Sequence, residues 1–152
     1  SITMSYKKLL IISLIIFGIV VILFASGSSL LTYNVFGIPA GNIIIWLGFI
    51  ALQLCAFSLK KGFKSSISIL GKVIRFLMII LIVASVLWFG FAYFISGNIN
   101  FNFSNTAVGY VGSPEASVLY WNVIYTLIIA PLILLISYTL LSYFESLKNS
   151  KS

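Results

Sequence analysis

Long apolar runs without charge constrain this chain more than any other feature of its sequence. The first run covers residues 9–24 and is rich in Ile, Leu and Val. Only 7% of the 152 residues are charged, whereas a soluble domain carries about 25% charged residues to keep its surface solvated. The chain therefore lacks the polar surface that a water-soluble fold needs, and lipid must be its solvent over most of its surface.

The apolar runs are long enough to cross a bilayer. A spanning helix needs roughly 20 apolar residues, because each residue adds 1.5 Å and the hydrocarbon core is about 30 Å thick. The sequence therefore predicts an all-α integral membrane protein, with a single domain of four transmembrane helices in an antiparallel bundle. The predicted helices lie at about residues 9–31, 39–59, 73–95 and 117–144.

Two of these predicted helices carry further signals. The small residues 25–28 after the first run would also suit a signal peptide, and we interpret the run as a retained helix. Pro131 lies in the middle of the fourth run. Since proline has no N–H and displaces the carbonyl four residues earlier, it predicts a kink in that helix.

The connection at residues 60–72 is basic and predicts the cytoplasmic loop. Its cations, with one more just beyond it, are candidate contacts for anionic lipid headgroups: Lys60, Lys61, Lys64, Lys72 and Arg75. Apolar residues at 63, 67, 70 and 74 recur at helical steps, which indicates an interfacial helix lying on the headgroups. The alternative is a solvated loop whose last residues already belong to the third helix.

The connection at residues 96–116 predicts an external loop with a short β-hairpin. Residues 98–104 alternate strictly between polar and apolar side chains, a pattern typical of a half-buried strand. Ile99, Phe101 and Phe103 share one face, and we interpret that face as a surface for a partner. Asn102 begins an Asn-x-Ser motif that matters only in a host that glycosylates it.

The distribution of cations predicts the orientation. With four helices, all nine basic residues fall on one side of the membrane or at its boundary. The positive-inside rule assigns that side to the cytoplasm. We therefore expect both termini in the cytoplasm of a multi-pass protein, and we expect the membrane to be a prokaryotic plasma membrane.

Four polar residues within the runs are candidate interhelical contacts: Gln53, Asn122, Tyr125 and Thr126. Polar side chains in lipid are expected to face other helices, where each hydrogen bond contributes about 1 kcal/mol or less. Asn122 and Tyr125 could alternatively hold a ligand or a quinone headgroup.

The residue types of the chain argue against catalysis. The sequence has no His and two acidic residues, so candidates for general acid–base catalysis or metal ligation are nearly absent. We expect no enzyme, no cofactor and no metal. The cations punctuate apolar runs instead of covering one solvated face, so we also expect no nucleic acid.

We expect the chain to be a non-catalytic accessory subunit of a multi-subunit membrane complex. A respiratory or another energy-converting complex is one such assembly. Its expected partners are other membrane subunits and anionic lipids. One alternative is a small homo-oligomeric channel or facilitator. Others are a quinone- or lipid-binding membrane enzyme subunit and a viral envelope protein.

Overall fold

Four long helices form the protein. The computed structural model describes residues 5–36, 38–63, 68–88, 90–91 and 114–152. The helices are α1 at Tyr6–Ala25, α2 at Ala40–Leu59, α3 at Ile69–Val86 and α4 at Pro114–Ser150. Each contains a segment long and apolar enough to cross a membrane. The predicted all-α bundle of four transmembrane helices is confirmed.

The helix ends follow local capping and differ from the predicted bounds. Ser5 caps α1, where its hydroxyl accepts a hydrogen bond from the backbone N–H of Lys8 at 3.3 Å. Ser68 caps α3 in the same way and accepts from the N–H of Gly71 at 3.1 Å. Gly27 has a φ of 61° just past the end of α1. That left-handed conformation commonly ends a helix, so α1 stops before the predicted residue 31.

A short connection joins α1 to α2. It begins with a 3₁₀ turn at Ser29–Thr32. Two-residue strands follow, β1 at Asn34–Val35 and β2 at Ile38–Pro39, and they pair antiparallel. The β-hairpin predicted between the third and fourth helices falls at residues 96–113, outside the described residues.

Helix packing is uneven. α2 packs against α1, α3 and α4, and α3 also packs against α4. α1 packs mainly against α2, and Ser13 is its one buried residue. Three helices thus share the core, and α1 lies on its flank.

The close approach of α1 and α2 depends on Gly48. A Cβ atom added to Gly48 would lie 2.7 Å from Cγ1 of Val20, a distance that real side chains do not tolerate. A small residue at this position therefore lets the two backbones come together, as is common between helices in lipid.

The turn after α2 enters the core instead of lying on the membrane surface. Lys61, Gly62 and Phe63 all have positive φ, at 52°, 67° and 50°. Phe63 is completely buried and stacks on Tyr138 of α4, with ring centroids 4.9 Å apart. Such a backbone is costly for a bulky residue and persists only where packing holds it.

This turn corrects the prediction of an interfacial helix across the basic loop. The described residues 60–63 form a turn, and α3 begins at Ile69. Lys72 therefore lies in the first turns of α3, which agrees with the alternative that the end of the loop belongs to the third helix. The apolar side chain of Phe63 is held by Tyr138 and not by headgroups.

Candidate functional site: a polar seam between helices

One face of α2 carries polar side chains into the core. Asn42, Trp46, Phe49, Gln53 and Ala56 recur at steps of four and three residues, so they share one side of the helix. We call this set the α2 seam. The side chains of Asn42 and Gln53 are completely buried. The seam therefore places two amides inside the protein, where each needs hydrogen bonds from other protein groups.

Gln53 completes the backbone hydrogen bonding of α4. Its Nε2 donates to the backbone carbonyl of Leu127 at 2.5 Å. Leu127 lies four residues before Pro131, which sits inside α4. Because proline has no N–H, the carbonyl of Leu127 has no partner within its own helix. Gln53 supplies the donor that Pro131 removes.

Trp46 does the same for α3. Its indole Nε1 lies 3.0 Å from the carbonyl oxygens of both Ser85 and Val86, and donates to them. These are the last two residues of α3. The final carbonyls of any α-helix lack partners within the helix. The α2 seam therefore caps the end of one neighbouring helix and the interrupted turn of another.

The seam keeps an unused acceptor. Within the described part of the chain, Gln53 Oε1 has no hydrogen-bond donor although its Nε2 is engaged. The Ser85 hydroxyl is also completely buried, and it has no partner among the same residues. An unsatisfied buried group costs about 1–3 kcal/mol. The bundle therefore keeps two buried polar groups, one on the α2 seam and one on α3, that contribute no hydrogen bond to its stability within the described residues.

Two apolar clusters flank the seam. Toward the start of α2, Phe49 packs with Trp88, Ile124 and Leu127. Toward its end, Ala56 belongs to a cluster whose other members are Phe63, Ile74, Met78 and Tyr138. Phe49 and Trp88 have ring centroids 5.5 Å apart. The hydrogen bonds of Gln53 thus lie between two packed layers that exclude lipid.

Two surface clefts among the described residues have apolar linings. One cleft of about 240 Å³ lies between α1 and α2 and is closed by Ile128 of α4. A second, of about 220 Å³, lies between α3 and α4. Their linings are made of apolar side chains with Gly48. Such clefts suit acyl chains or apolar side chains and offer no group that would orient a polar substrate.

The candidate lipid-binding cations lie at one end of the bundle. Lys61, Lys72 and Arg75 are exposed, and Lys60 is half-buried. Lys64 lies outside the described residues. Tyr6, beside Lys7 and Lys8 in the sequence, meets the same region, since its ring centroid is 6.1 Å from that of Phe57. The basic residues of α1 and of the α2–α3 connection therefore share one end.

The candidate interhelical residues separate into two groups. Gln53 contacts α4, as described above. Asn122, Tyr125 and Thr126 are exposed, and the Thr126 hydroxyl donates to the carbonyl of Asn122 in its own helix at 2.7 Å. In the part of the chain that the structure describes, these three side chains therefore lie away from the inward face of α4, and their contacts with other helices stay a prediction. The reason is helical phase, because the face of α4 directed inward runs through residues 124, 127, 131 and 138.

Ile99, Phe101 and Phe103, the expected partner surface, lie outside the described residues. The described residues contain no group of three or more His, Cys, Asp or Glu side chains that could hold a metal ion. Cys55 is free and buried, as expected for a small apolar side chain.

Sequence reasoning missed the role of Trp46 and the partner of Gln53. The freed carbonyl at residue 127 follows from Pro131 alone, but its donor depends on how α2 and α4 are aligned. The available signal was the position of Gln53, the one amide in the second half of α2, with apolar residues on both sides of it in the sequence. An amide there needs a backbone or side-chain partner on a neighbouring helix.

Fold and seam together define a multi-pass membrane protein whose described polar seam stabilises helix packing. Comparisons with protein-family models, with curated proteins and with solved structures find no match for this chain.

Proposed function

We propose that this chain is a non-catalytic accessory subunit of a multi-subunit membrane complex, of the respiratory or another energy-converting type, that binds partner helices and lipid. The observation that carries the proposal is the exposure of α1. Twenty residues cross the membrane in this helix, and one of them, Ser13, is buried. A whole spanning helix thus adds little to the core of its own chain and presents most of its surface to its surroundings.

The use of polar groups supports the same proposal. Trp46 and Gln53 donate to backbone carbonyls of neighbouring helices, and the described clefts have apolar linings. With no His and two acids in the sequence, the chain has few groups for proton transfer. A subunit that packs helices and binds lipid needs hydrogen-bond donors between helices and apolar clefts. It does not need groups for proton transfer.

The cations support a lipid-binding role at the end that holds the α2–α3 turn. Exposed cations there include Lys61, Lys72 and Arg75. Each cation near an anionic membrane surface contributes about 1 kcal/mol of attraction. The proposal places this end, with both termini, on the cytoplasmic side of a prokaryotic plasma membrane.

Purification from native membranes in a mild detergent tests the proposal. We expect other membrane chains to co-purify with the tagged protein in fixed ratio, and an untagged strain is the control for background. A protein that elutes with lipid and with no other chain, at every detergent strength tried, would contradict an accessory role. Flux through liposomes containing the isolated protein would instead favour the channel alternative.

A further inference from the structure

α4 has a second regular face, opposite to the one that packs into the bundle. Residues 118, 122, 125, 129, 132 and 136 follow each other at steps of four and three, and every one is exposed. We call this set the outer seam of α4: Val118, Asn122, Tyr125, Ile129, Leu132 and Ile136. Such spacing is the pattern by which helices pack into left-handed pairs. Five members are apolar or aromatic, and one is an amide.

Asn122 lies at the depth of the hydrocarbon. It is five residues before Leu127, whose carbonyl accepts from Gln53. α2 and α4 run in the same direction, so at 1.5 Å per residue Asn122 is level with about Gly48, near the middle of α2. The half-thickness of the hydrocarbon core is about 15 Å. Asn122 is therefore well inside the apolar layer.

The side chain of Asn122 has no hydrogen-bond partner among the residues that the structure describes. Its backbone carbonyl accepts from the hydroxyl of Thr126. A side-chain amide has one acceptor oxygen and two donor hydrogens, and leaving them unsatisfied in hydrocarbon costs several kcal/mol. Lipid tails offer neither donor nor acceptor, so lipid alone is a poor cover for this position.

A second copy of the chain is the partner that fits. Identical chains inserted in the same orientation carry Asn122 at the same depth, so the two amides meet when the two α4 helices pack through their outer seams. Around a two-fold axis, each amide donates one N–H to the other's oxygen, so both oxygens and one hydrogen of each amide gain a partner. A single Asn in an otherwise apolar seam also fixes the register of paired helices. The described outer seam contains no charge that would oppose the pairing.

We propose that two copies of this chain associate in parallel through the outer seam of α4, with the side chains of Asn122 paired across the two-fold axis. This pairing does not depend on the proposed accessory function, and a dimer is compatible with further partners. It uses the face of α4 that its own bundle leaves open, while the inward face continues to pack on α2 and α3.

Single-cysteine cross-linking in membranes tests the geometry. Cys55 is the one cysteine of the sequence, so a Cys55→Ala background is free of thiols. Val118→Cys and Ile129→Cys place thiols on the outer seam, and Leu119→Cys and Ile128→Cys place them beside it, all at exposed positions. We expect oxidation to give covalent dimers at the seam positions and few at the flanking ones. Equal yields at all four positions, or cross-links only to a different protein, would overturn the proposal.

Energy transfer between labelled copies in liposomes tests the role of the amide. We expect Asn122→Leu to weaken dimerisation about 3- to 10-fold, in line with interhelical hydrogen bonds in lipid. Asn122→Gln keeps the same groups and should retain more of the association. An equal thermal midpoint of the variants shows that the bundle itself is intact, since Asn122 is exposed in one copy. An unchanged dimer in Asn122→Leu would rule out the amide pair.

Discussion

α1 and α2 are alike in length and apolar character, but they differ in how much of their surface is buried. Both have 20 residues, and both are apolar around most of their circumference. Yet 6% of the α1 span is buried in the protein, compared with 44% of the α2 span. In water the more apolar helix would be the more buried one. Here the less apolar helix lies at the centre.

The difference shows what drives packing when lipid is the solvent. Apolar surface gains little from leaving lipid for protein, so close backbone approach and hydrogen bonds decide which helix is central. α2 has both, through the close contact at Gly48 and through the buried polar members of its seam. α1 offers Ser13, whose hydroxyl donates to the carbonyl of Leu9 in the same helix at 2.7 Å.

The largest expected effect comes from filling the contact between the two helices. Gly48→Leu would drive its side chain into Val20, since even a Cβ at this position lies 2.7 Å from Cγ1. We expect a loss of about 1–3 kcal/mol in the free energy of unfolding, as for other overpacked sites, measured by denaturation in mixed micelles.

Gly18→Leu is the matched control for that experiment. Gly18 is also a glycine within a spanning helix, but a Cβ there meets nothing within 4 Å. Gly18→Leu should therefore lower the free energy of unfolding only a little. Because leucine is a better helix former than glycine, part of that loss should be offset. Equal losses at the two glycines would show that α1 is not held by this contact.

A smaller effect is expected at the donor that α2 gives to α4. Gln53→Leu leaves the carbonyl of Leu127 without a partner, and we expect a loss of about 1 kcal/mol in stability. Pro131→Ala restores an N–H at residue 131 and lets α4 satisfy that carbonyl itself. In the Pro131→Ala background the same change at Gln53 should therefore cost less.

The four proteins of this double-mutant cycle share one readout, the free energy of unfolding. A coupling near zero would mean that Gln53 acts through packing alone, because the cost of its loss would not depend on the proline.

The smallest effect is expected at the buried polar residue of α1. Ser13→Ala removes a hydroxyl that donates to its own helix and also hydrogen-bonds with the thiol of Cys55 in α2. Because a thiol is a weak hydrogen-bonding group, the change in unfolding free energy should stay within about 0.5 kcal/mol. A loss as large as that of Gln53→Leu would indicate that the contact with Cys55 holds α1 to α2.

Much of the fold follows from the sequence because the apolar runs are long and the connections between them are polar. The helix bounds were less accurate. The fourth helix was predicted to end at residue 144, where the apolar run stops, but α4 continues to Ser150. Hydropathy marks where a helix leaves the lipid, whereas the helix itself ends where its hydrogen bonding ends.

The site was predictable only in part, because helices in lipid are apolar on the lipid-facing side as well as on the inward side. A helix that is apolar on all sides gives no signal for which face turns inward. Gln53 and Asn122 are both amides within apolar runs, and nothing in the sequence distinguishes the buried one from the exposed one. Relative rotation and alignment of helices decide this, and both are properties of the packed bundle.

The length of α4 has one further consequence. Its 37 residues extend about 55 Å at 1.5 Å each, which exceeds a hydrocarbon layer of about 30 Å. Part of this overhang lies beyond Leu141, which still packs against the cluster of Phe63 and Tyr138, and there the helix projects from the bundle. A helical domain grafted in frame onto that projecting end would keep a fixed orientation, and would serve as an alignment marker for imaging so small a membrane protein.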